Sequence, residues 1–140
     1  MQVLAILAAL AVAVAAQGPN LSCQGEATTD RTGVLNQLLK PLANVPESQI
    51  VQIMASKNDV AAYMDCIVEK GECSRLGKAI QTFVKDYSQG QACQICTDCE
   101  MRRITYVLDK LKCDHPAEAT RLTDNLGFDI FAVYNVGKTC

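Results

Sequence analysis

Apolar residues recur at intervals of three and four along most of the chain, which is the spacing of one face of an α-helix. Their runs lie within residues 34–42, 50–54, 60–68, 76–87, 101–111 and 122–126. No stretch shows the strict alternation of a half-buried strand, and residues 128–134 fit neither pattern clearly. The sequence therefore predicts an all-α domain over residues 32–140, with about six short helices and a tail.

Prolines, glycines and capping residues mark the expected ends of these helices. Pro41 is expected to end the first helix, because proline removes a backbone donor and crowds the preceding turn. Pro46 suits the start of the second helix, and Ser74 is expected to be the N-cap of the fourth. Gly71 follows the third helix, and His115-Pro116 follows the longest one and opens the next.

The N-terminus has a different pattern. Residues 3–16 are fourteen consecutive apolar residues, all Ala, Val, Leu or Ile, and they end in Val14-Ala15-Ala16. This is the pattern of a signal peptide, predicted at residues 1–16, and it is shorter than the roughly 20 residues that span a bilayer. We therefore expect a secreted protein without a membrane anchor.

Residues 17–31 are polar and lack periodicity, so they are expected to form an N-terminal arm that Cys23 ties to the domain. Asn20-Leu21-Ser22 within this arm is a glycosylation sequon, which makes Asn20 a candidate modification site in a secreted chain.

Composition narrows the class of protein. Eight cysteines among 140 residues, even in number and behind a signal peptide, indicate an oxidising compartment and a disulfide framework. The 13 basic and 15 acidic residues give a net charge of −2, which lacks the basic footprint of a nucleic-acid-binding protein. Arg102-Arg103 and the Lys110 and Lys112 pair are interpreted as a solvated face.

Catalysis is not expected. A nucleophilic Ser or Cys needs a base, and the single histidine, His115, stands beside Pro116 in a helix-start context. Asp98 and Glu100 suit the first turn of a helix, where negative charge offsets the helix dipole. The sequence predicts no enzyme activity, no metal site and no cofactor.

Two cysteine pairs are close enough to form local disulfides. Cys66 and Cys73 flank six residues that include the turn at Gly71, and Cys93 and Cys96 are expected one turn apart at the head of the longest helix.

Two alternative interpretations of the cysteines are a redox motif and a zinc site. A redox Cys-x-x-Cys motif is disfavoured because no strand precedes it. A zinc site on Cys93, Cys96, Cys99, Cys113 and His115 is disfavoured because the thiols would pair first.

Cys23, Cys99, Cys113 and Cys140 remain. Cys99 and Cys113 would stand about 21 Å apart on one unbroken helix and cannot bond to each other. Of the two pairings left open, Cys23 with Cys99 and Cys113 with Cys140 is slightly preferred, because the second bond joins the C-terminal tail to the preceding helix.

The segment Tyr63-Met-Asp-Cys66-Ile-Val-Glu-Lys-Gly71-Glu-Cys73-Ser-Arg-Leu-Gly77-Lys78, followed by Cys93-Gln-Ile-Cys96-Thr-Asp, closely resembles the arthropod chemosensory (OS-D-like) protein family. The resemblance covers about residues 50–116. The spacer between the cysteine pairs is one residue longer than usual, Asn58 replaces a usual arginine, a later tryptophan is missing, and four cysteines are added.

This resemblance implies six helices around an apolar tunnel, sequential disulfides, and binding of small apolar molecules such as fatty acyl chains or odorants. Without it, an apolar stripe at helical spacing is more often plain core. The residues on inward stripes that are expected to contact a ligand are Ile53, Met54, Tyr63, Ile67, Ile80, Phe83, Tyr87, Ile104 and Leu108.

The sequence thus favours a secreted soluble carrier of small apolar ligands, with a receptor or another secreted protein as a further candidate partner. The alternative is a disulfide-rich interaction or defence protein without a small-molecule ligand. Defence polypeptides that act on membranes are usually cationic, and the mild net negative charge favours the carrier.

Overall fold

The structure is a computed structural model that describes residues 20–23, 33–68, 71–87 and 90–140, with the side chains of residues 33–38 and 87 left out of the description. The predicted signal peptide, residues 1–16, lies outside the described residues. The predicted arm, residues 17–31, is described only at residues 20–23.

The described residues form seven α-helices and one π-helical turn, and they contain no strand, which confirms the all-α prediction. Six α-helices have at least eight residues, and residues 128–134, ambiguous in sequence, contain a single-turn helix. The elements are α1 Gly33–Asn44, α2 Glu47–Ala55, α3 Lys57–Ile67, α4 Arg75–Thr82, the π-helical turn Phe83–Tyr87, α5 Asp98–Asp114, α6 Pro116–Leu126 and α7 Ile130–Val133.

The first helix differs from its prediction, because α1 continues through Pro41 to Asn44. Pro41 lacks one backbone donor, but its carbonyl oxygen still accepts from the Val45 N–H at 3.2 Å, so the last turn closes. Leu39 has no exposed surface, and its packing offsets the missing bond. The helix ends where Pro46 disfavours the helical conformation of the preceding Val45.

The longest helix, α5, begins later than the sequence suggested. The Thr97 hydroxyl accepts from the Glu100 N–H at 3.2 Å, and the Glu100 carboxylate accepts from the Thr97 N–H at 2.9 Å. This reciprocal capping box fixes the start of α5 at Asp98. Cys93 and Cys96 therefore lie in the preceding loop, and their expected position on the head of the helix is wrong.

Four disulfides join Cys23 to Cys99, Cys66 to Cys73, Cys93 to Cys96, and Cys113 to Cys140, the pairing preferred from the sequence. Their Cα–Cα distances, 5.1, 4.9, 5.7 and 5.3 Å in that order, lie in the ordinary range for disulfides. The first and last of these bonds hold the two ends of α5, and we refer to them as the α5 disulfides.

Helix α5 is the central element of the core. It contacts α1, α2, α6 and α7, while α4 packs on α1 and α3. Leu108 and Leu111 are the buried residues of α5 in the main hydrophobic cluster, with Phe131 and Ile130 of α7 beside them. Since α1 and α2 pack on α5, and α4 packs on α1 and α3, the inward faces of these helices meet in one apolar interior.

Candidate functional site: an apolar cavity

A cavity of about 140 Å³ lies between α2, α3, α4, the π-helical turn and α5, with Leu42 and Val45 from the end of α1 and one residue each from α6 and α7. Eighteen of its twenty described lining residues have apolar side chains, and within this set only Tyr63 and Arg103 carry polar groups. Hydrogen-bonding capacity is therefore scarce, and the wall suits a molecule with little polar surface.

Eight of the nine residues that the sequence predicts as ligand contacts line this cavity: Ile53, Met54, Tyr63, Ile67, Ile80, Phe83, Ile104 and Leu108. The side chain of the ninth, Tyr87, lies outside the described part of the chain. The structure thus brings the eight side chains together, and their contact with a ligand stays a prediction.

Twelve further lining residues were not among the predicted ligand contacts. Most of them belong to the same helical stripes and could have been found by extending each stripe by one turn. They are Leu42, Val45, Ile50, Val60, Met64, Leu76, Val84, Arg103, Val107, Leu111, Leu122 and Ile130.

Arg103 is the lining residue that sequence reasoning misplaced. It is 5% exposed, so its assignment to a solvated face is wrong. Its Nε donates to the carbonyl oxygen of Leu21 at 2.8 Å, and its Nη1 donates to those of Leu42 at 2.9 Å and Ala43 at 3.3 Å, and to that of Val45. Carbonyls at the end of a helix lack intrahelical donors, and a cation there satisfies several at once.

The electrostatic state of Arg103 follows from this burial. Desolvation lowers the pKa of its guanidinium, and the charge of Glu47 partly opposes that shift. Arginine nevertheless remains protonated at physiological pH. Leu42 and Val45, whose carbonyls Arg103 holds, themselves line the cavity. Arg103 therefore fixes the position of the α1 end of the cavity wall.

The other three residues of the predicted solvated face, Arg102, Lys110 and Lys112, are less buried than Arg103. Arg102 is partly buried and donates to the carbonyl oxygens of Asn20 and Ser22, both at 3.2 Å. Lys110 forms a surface ion pair with Asp114 at 3.8 Å. Lys112 Nζ lies 5.6 Å from the centroid of the Phe131 ring. Through the carbonyl oxygens of the arm, Arg102 and Arg103 together hold it against α5.

His115 has a structural role. It is the N-cap position of α6, ahead of Pro116, as the sequence predicts. Its Nε2 lies 2.7 Å from the carbonyl oxygen of Met54. Because a carbonyl only accepts, Nε2 carries the proton in this contact. The single histidine is thus engaged in joining the start of α6 to the end of α2.

Metal binding and membrane insertion can be assessed for the described residues only. All eight cysteine sulfurs are in disulfides, so the alternative zinc site on Cys93, Cys96, Cys99, Cys113 and His115 lacks its thiolates. The residues that the structure covers contain no cluster of three or more potential metal ligands among His, Cys, Asp and Glu. None of their helices is long and apolar enough to cross a bilayer.

Comparison with known proteins found one family match. A family model described as "Insect pheromone-binding family, A10/OS-D" matches residues 45–128. Eighteen of the twenty lining residues fall inside that segment, and the exceptions are Leu42 and Ile130. No curated protein and no solved structure matches the chain.

Proposed function

The chain belongs to the insect pheromone-binding family A10/OS-D, a family of small carriers, and on that premise we propose that it is a secreted carrier of small apolar molecules, fatty acyl chains or odorant-like compounds. The observation that carries the proposal is the cavity of about 140 Å³ with its nearly all-apolar wall. Burial of apolar surface stabilises a bound molecule by about 25 cal/mol per Å² before the entropy cost of binding is subtracted.

Secretion is supported by chemistry as well as by the N-terminal pattern. Four disulfides in one chain require an oxidising compartment to form and persist. The fourteen-residue apolar run at residues 3–16 is the expected means of reaching that compartment. A receptor or another extracellular protein is the expected recipient of the cargo.

The cavity favours binding over catalysis. Among the residues that the structure describes, its lining contains no Ser, Cys, His, Asp or Glu. Nucleophilic and general acid–base catalysis use side chains of these types in most enzymes, placed within hydrogen-bond reach of the reacting atoms. We therefore expect the protein to release its ligand chemically unchanged.

Two measurements test this proposal. Native mass spectrometry detects a small molecule bound to the purified protein, and thermal shift detects stabilisation by an added ligand. A ligand that binds only the folded protein stabilises it by RT ln(1 + [L]/Kd), about 2.7 kcal/mol at a hundredfold excess over Kd. For a domain of this size, that corresponds to a rise in melting temperature of several degrees, so a panel of apolar compounds should include members that raise it.

A pair of variants shows whether the cavity is responsible. Ile104→Trp places a larger side chain in the cavity wall and should abolish the thermal shift. Val51→Trp introduces the same side chain at a residue of α2 that is 39% exposed and outside the cavity, and it should leave the shift intact. If no apolar compound binds, the interaction or defence protein becomes the better interpretation.

A further inference from the structure

We infer that Arg103 holds the head group of the ligand: a carboxylate accepts a hydrogen bond from its Nη2, and the attached apolar chain lies in the cavity. This inference rests on the carrier function proposed above and specifies the ligand as an amphiphile with one anionic end, such as a fatty acid. Three observations support it: an unused donor on Arg103, the lack of a counter-charge beside it, and the apolar wall that continues from it along α5.

One nitrogen of the Arg103 guanidinium has no acceptor. The side chain is 5% exposed and lines the cavity. A guanidinium carries five N–H groups, one on Nε and two on each Nη. Nε donates to the carbonyl oxygen of Leu21, and Nη1 donates to three carbonyl oxygens at the end of α1. Nη2 has no hydrogen bond to the described part of the chain.

A buried donor without an acceptor is uncommon. Such a group has lost its hydrogen bonds to water and has gained none from the protein, which makes its burial unfavourable. Most buried polar groups in folded proteins are paired, and an unpaired one calls for a water, an ion or a ligand that the protein alone does not supply. An oxygen of a bound ligand would complete the hydrogen bonding of Arg103.

The charge of Arg103 is also unmatched. None of the described carboxylates forms an ion pair with it, and its four bonded partners are neutral carbonyl oxygens. Glu47, exposed at the start of α2, raises the pKa of the guanidinium, but desolvation has the larger effect and lowers it. Arginine stays protonated at neutral pH, so the cavity wall holds a buried positive charge.

This unmatched charge favours an anionic head group over a neutral one. The desolvation of Arg103 accompanies folding and is complete before a ligand arrives. A carboxylate therefore loses only its own hydration on binding, and it gains a charge-assisted hydrogen bond, which is stronger than a bond between neutral groups.

The rest of the wall suits the apolar chain of such a ligand. Arg103 is the only charged residue among the described lining residues. Ile104, Val107 and Leu108 follow it along α5, and Leu111 lies about 12 Å further along the helix axis. A molecule held at Arg103 by its carboxylate thus has an apolar surface for its chain.

A comparison of head groups tests the inference on the native protein. The probes are octanoic and dodecanoic acid and their methyl esters at pH 7.5, below micellar concentrations, measured by calorimetry on the oxidised mature protein. A cavity that offers only apolar surface binds the ester more tightly, because the ester buries no charge. With the head group on Arg103, each acid should bind about tenfold more tightly than its ester, or better.

The pKa of the bound carboxyl group gives a second measurement with the same logic. A positive charge beside a carboxyl group lowers its pKa, whereas burial among apolar groups raises it. Dodecanoic acid labelled with ¹³C at the carboxyl carbon reports this pKa by NMR in the bound and free states. We expect the pKa of the bound acid to lie below that of the free acid.

Variants connect the head-group preference to Arg103. Arg103→Gln removes the charge, so the acid should lose its advantage while the affinity of the ester changes less than about threefold. Arg103→Lys keeps a positive charge and should retain part of the preference. Arg102→Gln is the matched control, since Arg102 also bonds to the arm but does not line the cavity, and it should keep the native ratio of acid to ester affinity. Melting temperatures establish that each variant is folded.

Each outcome decides a different point. Tighter binding of the esters to the native protein, or a raised pKa of the bound acid, would overturn the head-group site and leave the carrier function standing. An unchanged ratio in folded Arg103→Gln would show that another group holds the carboxylate. Absence of binding by acids, esters and a wider apolar panel would overturn the carrier function itself. The two measurements on the native protein decide the inference even if a variant does not fold.

Discussion

The Nε of Arg103 donates a hydrogen bond of 2.8 Å to the carbonyl oxygen of Leu21, a residue 82 positions earlier in the chain. Leu21 is 2% exposed, so this bond and the side chain of Leu21 hold the N-terminal arm against α5. The same guanidinium satisfies carbonyls at the end of α1. One side chain thus connects the arm, α1 and the cavity wall.

Arg103→Met should destabilise the fold. Methionine keeps much of the aliphatic volume but leaves buried carbonyl oxygens without donors, which costs about 2 to 4 kcal/mol in the free energy of unfolding. Denaturant unfolding of the oxidised protein measures it. Arg75→Met, at an exposed position of α4, is the control and should change that free energy by less than about 0.5 kcal/mol. Equal effects of the two substitutions would contradict the role assigned to Arg103.

Gly77→Ala should also destabilise, although alanine has a helix propensity about 1 kcal/mol better than glycine. A Cβ at position 77 would lie 2.8 Å from Sγ of Cys66, which the bond to Cys73 holds in place. Overpacking of this kind costs about 1 to 3 kcal/mol, which exceeds the gain in helix propensity, so the protein should lose stability. Thermal unfolding checks this, with Arg75→Ala in the same helix as the reference. A higher melting temperature for Gly77→Ala would show that the contact relaxes freely.

The sequence predicted the parts of the fold that depend on periodicity and local capping. Ser74 caps α4 by accepting from the Gly77 N–H, and the inward stripes of α2, α3 and α4 meet as expected. The prediction failed at Pro41, where burial of Leu39 outweighs a missing backbone bond. Tertiary packing is a long-range effect, and a local rule cannot include it.

In the candidate site, too, the sequence predicts what depends on local periodicity and fails where tertiary packing decides. Eight of the nine predicted contacts line the cavity because an apolar stripe on a helix faces the interior whether the interior is filled or hollow. Arg103 could not be assigned correctly, since its burial depends on carbonyls more than 50 residues away. Its neighbour Arg102 has the same side chain in the sequence and a more exposed place in the fold. The cavity volume likewise depends on packing and has no signature in the sequence.

Asn20 should carry a glycan when the chain is secreted by a eukaryotic cell. Asn20 is exposed, and its Oδ1 accepts from the Ser22 N–H at 3.4 Å, a local turn within the sequon. Intact mass before and after enzymatic removal of N-linked glycans measures occupancy. Asn20→Gln is the matched control and should have the deglycosylated mass at every stage. An unmodified native mass would contradict this prediction.

The four disulfides should differ in their contribution to stability according to the length of chain that each one closes. Sequence separations are 76 for Cys23–Cys99, 27 for Cys113–Cys140, 7 for Cys66–Cys73 and 3 for Cys93–Cys96. In the loop-entropy description these separations correspond to about 4.5, 3.6, 2.5 and 1.9 kcal/mol, because a longer closed loop restricts the unfolded chain more.

Paired Cys→Ser variants, one disulfide removed at a time, should therefore lose stability in that order in denaturant unfolding. The Cys93→Ser/Cys96→Ser variant serves as the reference, since its small ring restricts the unfolded chain least. Cys23→Ser/Cys99→Ser should lose the most and should also weaken the Arg103–Leu21 contact, because the arm is then held by hydrogen bonds alone. If that variant is the least affected, the order expected from loop length is contradicted, and the arm contributes little to the folded state.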